Sequence, residues 1–284
     1  MTVRLRSSAY PWTFVESLIA GARSRAMFAD VQKYVMFIGQ PRSGTSLIGS
    51  LLNAHRNMWV AQELNALNYL RRGYGRNQLY WLLYMRDRDF NKRGRQWTGY
   101  DYEVAGQWQG RYEKLTVIGD KKAGLSSEQF GRQPELLTRL QDIVQVPIRM
   151  LHVIRNPFNV ITTIHRKRRN TSLEQAADMF FGRTRTNWGL MQDHPEMILT
   201  MHLEQLIASP EKHLKQMCGF LDVPADEDYI SACSELLFEK PRQSQTDVKW
   251  SKSMVDSVTD RIQEFPFLAG YDFLEAPSSN QAAA

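Results

Sequence analysis

The chain of 284 residues is 43% hydrophobic and 23% charged, which is typical of an ordinary globular protein and excludes a fibrous or intrinsically disordered one. Its two cysteines, Cys218 and Cys233, are too few for a disulfide framework, and no Cys/His cluster has the spacing of zinc ligands. The formal net charge of +6 favours anionic partners such as nucleotides, nucleic acid or acidic lipid, without choosing among them.

The hydropathy of the chain indicates neither export nor membrane insertion. Residues 1–6 contain no apolar segment of a signal peptide, and no stretch reaches the roughly 18 apolar residues that span a bilayer. We therefore expect a cytoplasmic protein without a transmembrane segment. No repeat or linker divides the sequence, so residues 1–275 are predicted to form one domain, followed by a disordered tail over 276–284.

The first elements in chain order surround a glycine-bounded loop. A mixed helical pattern over residues 1–33 leads into an apolar run at 34–39, which predicts a buried strand that stops at a glycine. Apolar residues then recur at helical spacing from residue 47 to residue 52. The chain is therefore predicted to pass from a strand through the loop of residues 39–46 into a helix.

The rest of the chain alternates strands with helices. Helical stripes and then aromatic, glycine-rich sequence fill an insertion at about residues 64–112, which we interpret as an acceptor-binding wall. Further strands are predicted at 116–121, 147–155 and 197–202, and further helices at 135–144, 173–192 and 209–221. This alternation predicts an α/β fold with a parallel sheet covered by helices on both faces, and ligands at the carboxyl ends of its strands.

The loop of residues 39–46, with the sequence GQPRSGTS, has the form of a phosphate cradle. Such a loop presents backbone N–H groups and the positive end of a helix dipole to an anion. It matches the Walker A loop of nucleoside triphosphatases except that Thr45 stands in place of the lysine. Arg42 supplies a cation instead, and its guanidinium can donate two parallel hydrogen bonds to a phosphate or sulfate. The absence of the Walker lysine, with Arg42 as the cation of the loop, favours an anion with less charge than a magnesium triphosphate.

A second candidate anion site lies where the strand of residues 147–155 ends. Arg155 precedes the hydroxyl of Thr163 by two helical turns, so both can face one anion. Asn156 and Pro157 between them have the pattern of an N-cap and a first helical residue. The alternative is that Thr163 bonds back to its own helix while Arg155 pairs with an acid.

The basic run at residues 165–169 poses a choice between nucleic-acid binding and a solvated helix end. Clustered cations bind phosphates, but cations also complement the carboxyl end of a helix dipole. Because no aromatic stacking motif accompanies the run, we predict a solvated helix end and no nucleic-acid partner.

Three segments of the chain resemble the sulfotransferase family, and especially its tyrosylprotein branch. They are PRSGTSL at residues 41–47, LNAH at residues 52–55, and Glu63; later matches extend the resemblance to about residues 34–273. The family uses 3′-phosphoadenosine 5′-phosphosulfate (PAPS) as donor and releases PAP from a P-loop nucleoside-triphosphatase-like fold. The resemblance implies a PAPS-dependent O-sulfotransferase that needs no metal.

The resemblance also implies which residues bind the nucleotide. The loop residues Arg42, Ser43, Gly44, Thr45 and Ser46 would hold the 5′-phosphosulfate. The 3′-phosphate would lie on Arg155 and Thr163, where Thr163 replaces a serine of the family, and Lys249 would belong to a basic loop that begins at Lys240 and closes over the nucleotide.

The catalytic groups implied by the resemblance are a base and two cations. Glu63 falls on the catalytic glutamate of the tyrosylprotein branch. Lys121 corresponds to a strand-end lysine that stabilises the transferring group together with Arg42, and Lys122 is its rival. Without the resemblance, Glu63 is better explained as a first-turn acid that complements a helix dipole.

The acceptor is the least determined part of the reaction. Because the tyrosylprotein branch is membrane-anchored, whereas this sequence has no anchor, we expect a hydroxyl of a glycan, lipid or small molecule. The alternative function is a P-loop kinase or other phosphotransferase, which the strand, loop and helix would serve equally well. A non-catalytic nucleic-acid binder is the third possibility.

Overall fold

The computed structural model describes residues 10–97, 99–237 and 243–274. Its main sheet has five parallel strands in the order β2-β5-β1-β6-β7. These strands are β1 (Lys33–Gly39), β2 (Met58–Gln62), β5 (Val117–Lys121), β6 (Ile148–Ile154) and β7 (Ile198–His202), and the two-residue strands β3 (Gln96–Trp97) and β4 (Tyr100–Asp101) form a separate antiparallel pair. The predicted parallel α/β fold is confirmed.

Twelve helices accompany these strands within the described residues. They are α1 (Tyr10–Arg23), α2 (Thr45–Asn53), α3 (Ala66–Leu70), α4 (Arg76–Lys92), α5 (Ala123–Arg132), α6 (Leu136–Val144), α7 (Pro157–Lys167), α8 (Leu173–Asp193), α9 (Leu203–Ala208), α10 (Pro210–Leu221), α11 (Glu227–Glu235) and α12 (Lys252–Ile262). None of the helices in the described part of the chain is both long and apolar enough to cross a bilayer.

The central strand β1 is buried on both faces because its whole run of seven residues is buried. Met36 and Ile38 pack with apolar residues of α4 and α6, whereas Val35 and Phe37 pack with residues of α2 and α10. Alternate side chains of a strand point to opposite faces, so the sheet is sandwiched between two helical layers. Its neighbour β5 lies so close that a Cβ on Gly119 would sit 1.8 Å from the Val35 carbonyl oxygen.

The predicted strands at 34–39, 116–121, 147–155 and 197–202 all form. The sequence does not predict β2. This strand, MWVAQ, contains a single β-branched residue, Val60, so neither alternation nor β-branched enrichment distinguishes it from a short helical segment. The single-domain assignment stays a prediction, and the tail of residues 276–284 lies outside the described residues.

Candidate active site

The glycine-bounded loop joins the carboxyl end of β1 to the first turn of α2. Gly39 and Gly44 have left-handed backbones, with φ of +121° and +91°, which only glycine adopts without strain. A Cβ on Gly44 would also lie 2.6 Å from Leu203 Cδ1. The buried hydroxyl of Ser43 donates to the Gln40 carbonyl at 2.8 Å. The loop is therefore held in one shape by its glycines and its own hydrogen bonds.

This loop also offers a set of N–H donors. Among the residues that the structure describes, no acceptor is bonded to the N–H groups of residues 42–46. The N-cap residue of α2 is Gly44, which has no side chain to satisfy them. Unsatisfied donors at a helix N-terminus attract an anion, because the helix dipole adds its positive end. The loop fits the anion cradle expected from the sequence.

A buried lysine connects the loop to an acidic side chain. Lys121, at the end of β5, has only 2% of its side chain exposed. Its Nζ donates to Ser46 Oγ and to Glu63 Oε1, each at 2.8 Å. The neighbouring Lys122 donates from Nζ to Glu63 Oε2 at 2.7 Å. Both candidate lysines thus contact the candidate base, but only Lys121 is seen to bridge it to the loop.

The position of Glu63 depends on a tight bend after β2. Glu63 and Asn65 both have left-handed backbones, with φ of +55° and +66°, which is costly for residues other than glycine. The buried carboxylate of Asp120 holds this bend, since it accepts from the backbone N–H groups of Leu64 at 2.9 Å and Ala66 at 2.8 Å. The strained bend turns Glu63 toward the two lysines at the carboxyl edge of the sheet.

Electrostatics keep Glu63 ionised in this arrangement. Burial acts to raise the pKa of Glu63, but the Lys121 and Lys122 ammonium groups outweigh it and lower the pKa to about 2. Burial likewise lowers the pKa of Lys121, against the opposing attraction of Glu63. While both lysines hold it, the Glu63 carboxylate is a weak base.

Gln62 and Trp97 form a wall beside Lys121, the lysine that contacts Glu63. Trp97 belongs to the insertion that the sequence predicts as an acceptor-binding wall, whereas the sequence did not single out Gln62. With the Gln62 amide oriented by its neighbours, its Oε1 accepts from Lys121 Nζ at 3.2 Å and from Trp97 Nε1 at 3.3 Å. Arg86 Nε of α4 donates to the Gln62 carbonyl at 2.8 Å. The insertion of residues 64–112 therefore borders the site through α4 and β3. The sequence shows that Trp97 belongs to a cluster of aromatic residues, but its hydrogen bond to Gln62 is apparent only from the fold.

The strand-end arginine of the second anion site lies against the loop. Arg155 Nη1 donates to the Arg42 carbonyl at 3.1 Å. The following residue Asn156 caps α7 as predicted, because its Oδ1 accepts from Phe158 N at 3.0 Å and Pro157 is the first helical residue. Asn156 N in turn donates to Glu204 Oε1 at 2.9 Å. The end of β6 is thus fixed next to the cradle.

Thr163 makes the intrahelical bond that the sequence left open as an alternative. Its hydroxyl donates to the Asn159 carbonyl at 2.8 Å and lies 3.4 Å from Ser244 Oγ. Asn159 Oδ1 also accepts from Gln245 N at 3.0 Å, so the turn Ser244–Asp247 covers this face of α7. The structure places Thr163 against Ser244, and its phosphate contact stays a prediction.

The predicted basic loop is only partly described. Lys249 is exposed, and its contact with a nucleotide stays a prediction. Lys240 lies outside the described residues. Within those residues, no group of three or more His, Cys, Asp or Glu side chains is placed to hold a metal ion.

Comparison with known proteins supports the same reading of the loop. The family model described as "Sulfotransferase family" matches residues 35–228, about two thirds of the chain. This range includes the loop, Glu63, both lysines, Arg155 and Thr163. No curated protein sequence matches the chain significantly.

Three solved structures are similar in fold. The sulfotransferase domain from the curacin biosynthetic pathway is 15% identical, with a TM-score of 0.52 over 83% of this chain and 99% of that chain. Sulfotransferase STF9 from Mycobacterium avium is 12% identical, with a TM-score of 0.52 over 88% of this chain and 80% of that one. Sulfotransferase STF1 from Mycobacterium tuberculosis H37Rv is 11% identical, with a TM-score of 0.50 over 88% and 81%. At such identities the likeness shows the fold alone.

The fold and the family match together define the class of protein, a parallel α/β transferase with a P-loop. The chain belongs to the sulfotransferase family, and the predicted enzyme class is confirmed. The resemblance to the tyrosylprotein branch stays a prediction.

Proposed function

We propose that the protein transfers the sulfuryl group of PAPS to an acceptor hydroxyl, with Glu63 as the base. The observation that most supports this proposal is a pair of contacts made by the Lys121 ammonium. It lies 2.8 Å from the loop hydroxyl of Ser46 and 2.8 Å from the Glu63 carboxylate. One cation therefore touches the donor cradle and the base at once. Such an arrangement suits a group that passes from a nucleotide on the loop to a hydroxyl at the carboxylate.

The residues of the cradle fit the donor. The N–H groups of residues 42–46, which bond to no acceptor among the described residues, and the Arg42 side chain would hold the 5′-phosphosulfate. Arg155, which donates to the Arg42 carbonyl, would take the 3′-phosphate with Thr163, and Lys249 would contribute from the exposed side. When bound, PAPS supplies an activated sulfuryl group and PAP as the leaving group.

Each catalytic side chain then has one task. The Glu63 carboxylate accepts the proton of the acceptor hydroxyl, which is worth about 10²- to 10⁴-fold in rate for a positioned base. The Lys121 and Arg42 cations stabilise negative charge on the transferring group. Because an anion on the loop competes for Lys121, it weakens the hold of that lysine on Glu63 and makes the carboxylate a stronger base. Lys122 keeps the carboxylate oriented.

The contact of Ser46 argues for this chemistry over a kinase. Ser46 occupies the place of the Walker hydroxyl that holds magnesium in nucleoside triphosphatases. Here that hydroxyl accepts from the Lys121 ammonium, and Thr45 replaces the Walker lysine. A protein cation therefore already contacts the loop hydroxyl that binds magnesium in the nucleoside triphosphatases. This favours a sulfated monophosphate over a magnesium triphosphate.

For the acceptor we propose a hydroxyl of a glycan, lipid or small molecule. The wall of Gln62 and Trp97 lies beside Lys121, which contacts Glu63, and flat aromatic side chains pack well against apolar surfaces. To test this, the purified enzyme is incubated with labelled PAPS and fractionated extract of its own cells, with Glu63→Gln as the control. We expect label in a glycan, lipid or small-molecule fraction and about 10²-fold less with the variant. Label on protein tyrosine contradicts the proposed acceptor.

A further inference from the structure

The outer face of α1 carries an exposed apolar stripe. Val15, Leu18 and Ile19 are 50%, 52% and 50% exposed, and they recur at the spacing of one helix face. They are three of the five large hydrophobic residues that are exposed in the described part of the chain. A contiguous group of such side chains is a candidate contact surface, whereas single exposed apolar residues are normal.

The orientation of this stripe is fixed by the inner face of the helix. Ser17 Oγ is buried and accepts from Gln78 Nε2 of α4 at 3.2 Å. A Cβ on Gly21 would lie 2.6 Å from the Asn77 carbonyl oxygen, so α1 and α4 pack closely along this side. Because α1 is anchored to α4, its apolar stripe cannot rotate inward.

One edge of the stripe carries a negatively charged and a positively charged side chain. Glu16 and Arg23 line a groove of about 360 Å³ together with Ile19, Ala20 and Ser24. Seven residues are nearly two helical turns, so the two charges lie along the same edge, within roughly 20° around the axis. In the part of the chain that the structure describes, neither side chain forms an ion pair with another residue.

We propose that this face of α1 is the contact between two copies of the chain, with the two α1 helices packed antiparallel. The midpoint between Glu16 and Arg23 falls between Ile19 and Ala20. A two-fold axis at that point places Glu16 of each copy opposite Arg23 of the other. This is because, in an antiparallel pair of helices, the edge of one helix that carries both charges lies beside the equivalent edge of the other. In such a symmetric dimer the same surface of each copy binds itself. Two ion pairs between Glu16 and Arg23 then flank the contact between the two apolar stripes.

The charges favour a second copy over an anionic membrane. A helix that lies on an anionic bilayer carries basic residues beside its apolar face, whereas Glu16 places a carboxylate there. A partner of single charge sign would match one of the two residues and repel the other. Only a surface that presents both signs at the same spacing matches the face of Glu16 and Arg23.

The helix length sets the expected strength of the contact. α1 has 14 residues and is about 21 Å long, so a contact between one face of each of two such helices is shorter than an interface that buries the roughly 1,200 Å² of a stable complex. We therefore expect a concentration-dependent dimer with a Kd on the order of micromolar.

Sedimentation velocity over a concentration series tests the contact by a charge swap. Glu16→Arg and Arg23→Glu should each weaken the dimer about tenfold or more, because like charges then face each other. The double variant should restore it, since the ion pairs return with reversed sign. Ile19→Asp should abolish it. Arg139→Glu, which makes the same charge change at an exposed position of α6, is the matched control and should leave it unchanged.

Two results overturn the proposal. One is a wild-type protein that stays monomeric up to about a hundred times the expected micromolar Kd. The other is a double variant no better than the two single ones. Circular dichroism confirms that each variant is folded. If the wild type stays monomeric, its binding to vesicles of anionic phospholipid would assign the stripe to a membrane surface.

Discussion

Glu63 is a carboxylate whose two oxygens are each held by a different lysine, at 2.8 Å from Lys121 Nζ and 2.7 Å from Lys122 Nζ. The same contacts that orient it also lower its pKa, from 4.5 to about 2. The contacts that orient Glu63 thus also make it a weak base, and the proposed role of Glu63 requires that an anion on the loop weaken its contact with Lys121.

This pairing predicts how stability depends on acid. The pKa of Glu63 is lower in the folded chain than its ordinary 4.5, so its contribution is fully present above about pH 5 and is lost as the pH falls toward 2. Urea unfolding of the wild type and Glu63→Gln should show a difference in unfolding free energy that shrinks over this range. Glu103→Gln, at an exposed acid, is the control. A difference that grows in acid contradicts the pairing.

The two lysines should differ in their effect on the rate. Lys121 bridges Ser46 and Glu63, whereas Lys122 is seen to contact the carboxylate alone. We expect Lys121→Gln to lower kcat about 10²-fold or more, as for the loss of a group that stabilises developing charge. Lys122→Gln should cost less than about tenfold, because one ammonium still orients Glu63. Steady-state kinetics measure both. A larger loss at Lys122 would exchange their roles.

At the scale of elements, the loop between β1 and α2 depends on Gly44. Alanine there must adopt φ near +91° and bring its Cβ within 2.6 Å of Leu203 Cδ1. We expect Gly44→Ala to destabilise the fold by about 1–3 kcal/mol and to weaken donor binding.

The matched control for that loop is Gly182→Ala on α8. Nothing lies within 4 Å of its Cβ position, and alanine in a helix interior is favoured over glycine by about 1 kcal/mol. In thermal unfolding, the melting temperature should therefore rise for Gly182→Ala and fall for Gly44→Ala. Equal melting temperatures would show that the loop is not held as described.

How far the sequence predicts an element depends on burial and length. The strands β1 and β6 are long buried runs, and their helices begin at recognisable signals, the loop glycine and the Asn156 cap. The edge strand β2 has five residues of which only Val60 is β-branched, so its pattern is ambiguous. For the same reason the sequence could not choose between Lys121 and Lys122 as the catalytic lysine. The lysines are placed beside Glu63 by the pairing of Gln62 with Lys121 across β2 and β5, and that pairing is known only once β2 is recognised.

At the scale of the whole molecule, the strand order explains why distant segments share one site. The order β2-β5-β1-β6-β7 brings the ends of β1, β2, β5 and β6 to the same edge, where ligands bind in such sheets. The loop, Glu63, Lys121 and Arg155 follow these four ends. Individual motifs indicate each residue, but their contacts depend on the register of the sheet. The wall of Gln62 and Trp97 has no motif and emerges from packing alone.

Calorimetric titration of the purified protein with PAPS, and separately with ATP and magnesium, tests the central claim most directly. We predict one PAPS site, tighter than the site for magnesium ATP, that weakens about tenfold or more in Arg155→Ala because a charged hydrogen bond to phosphate is lost. A protein that binds no PAPS, or that binds magnesium ATP more tightly, would contradict the assignment of the loop to a sulfate donor.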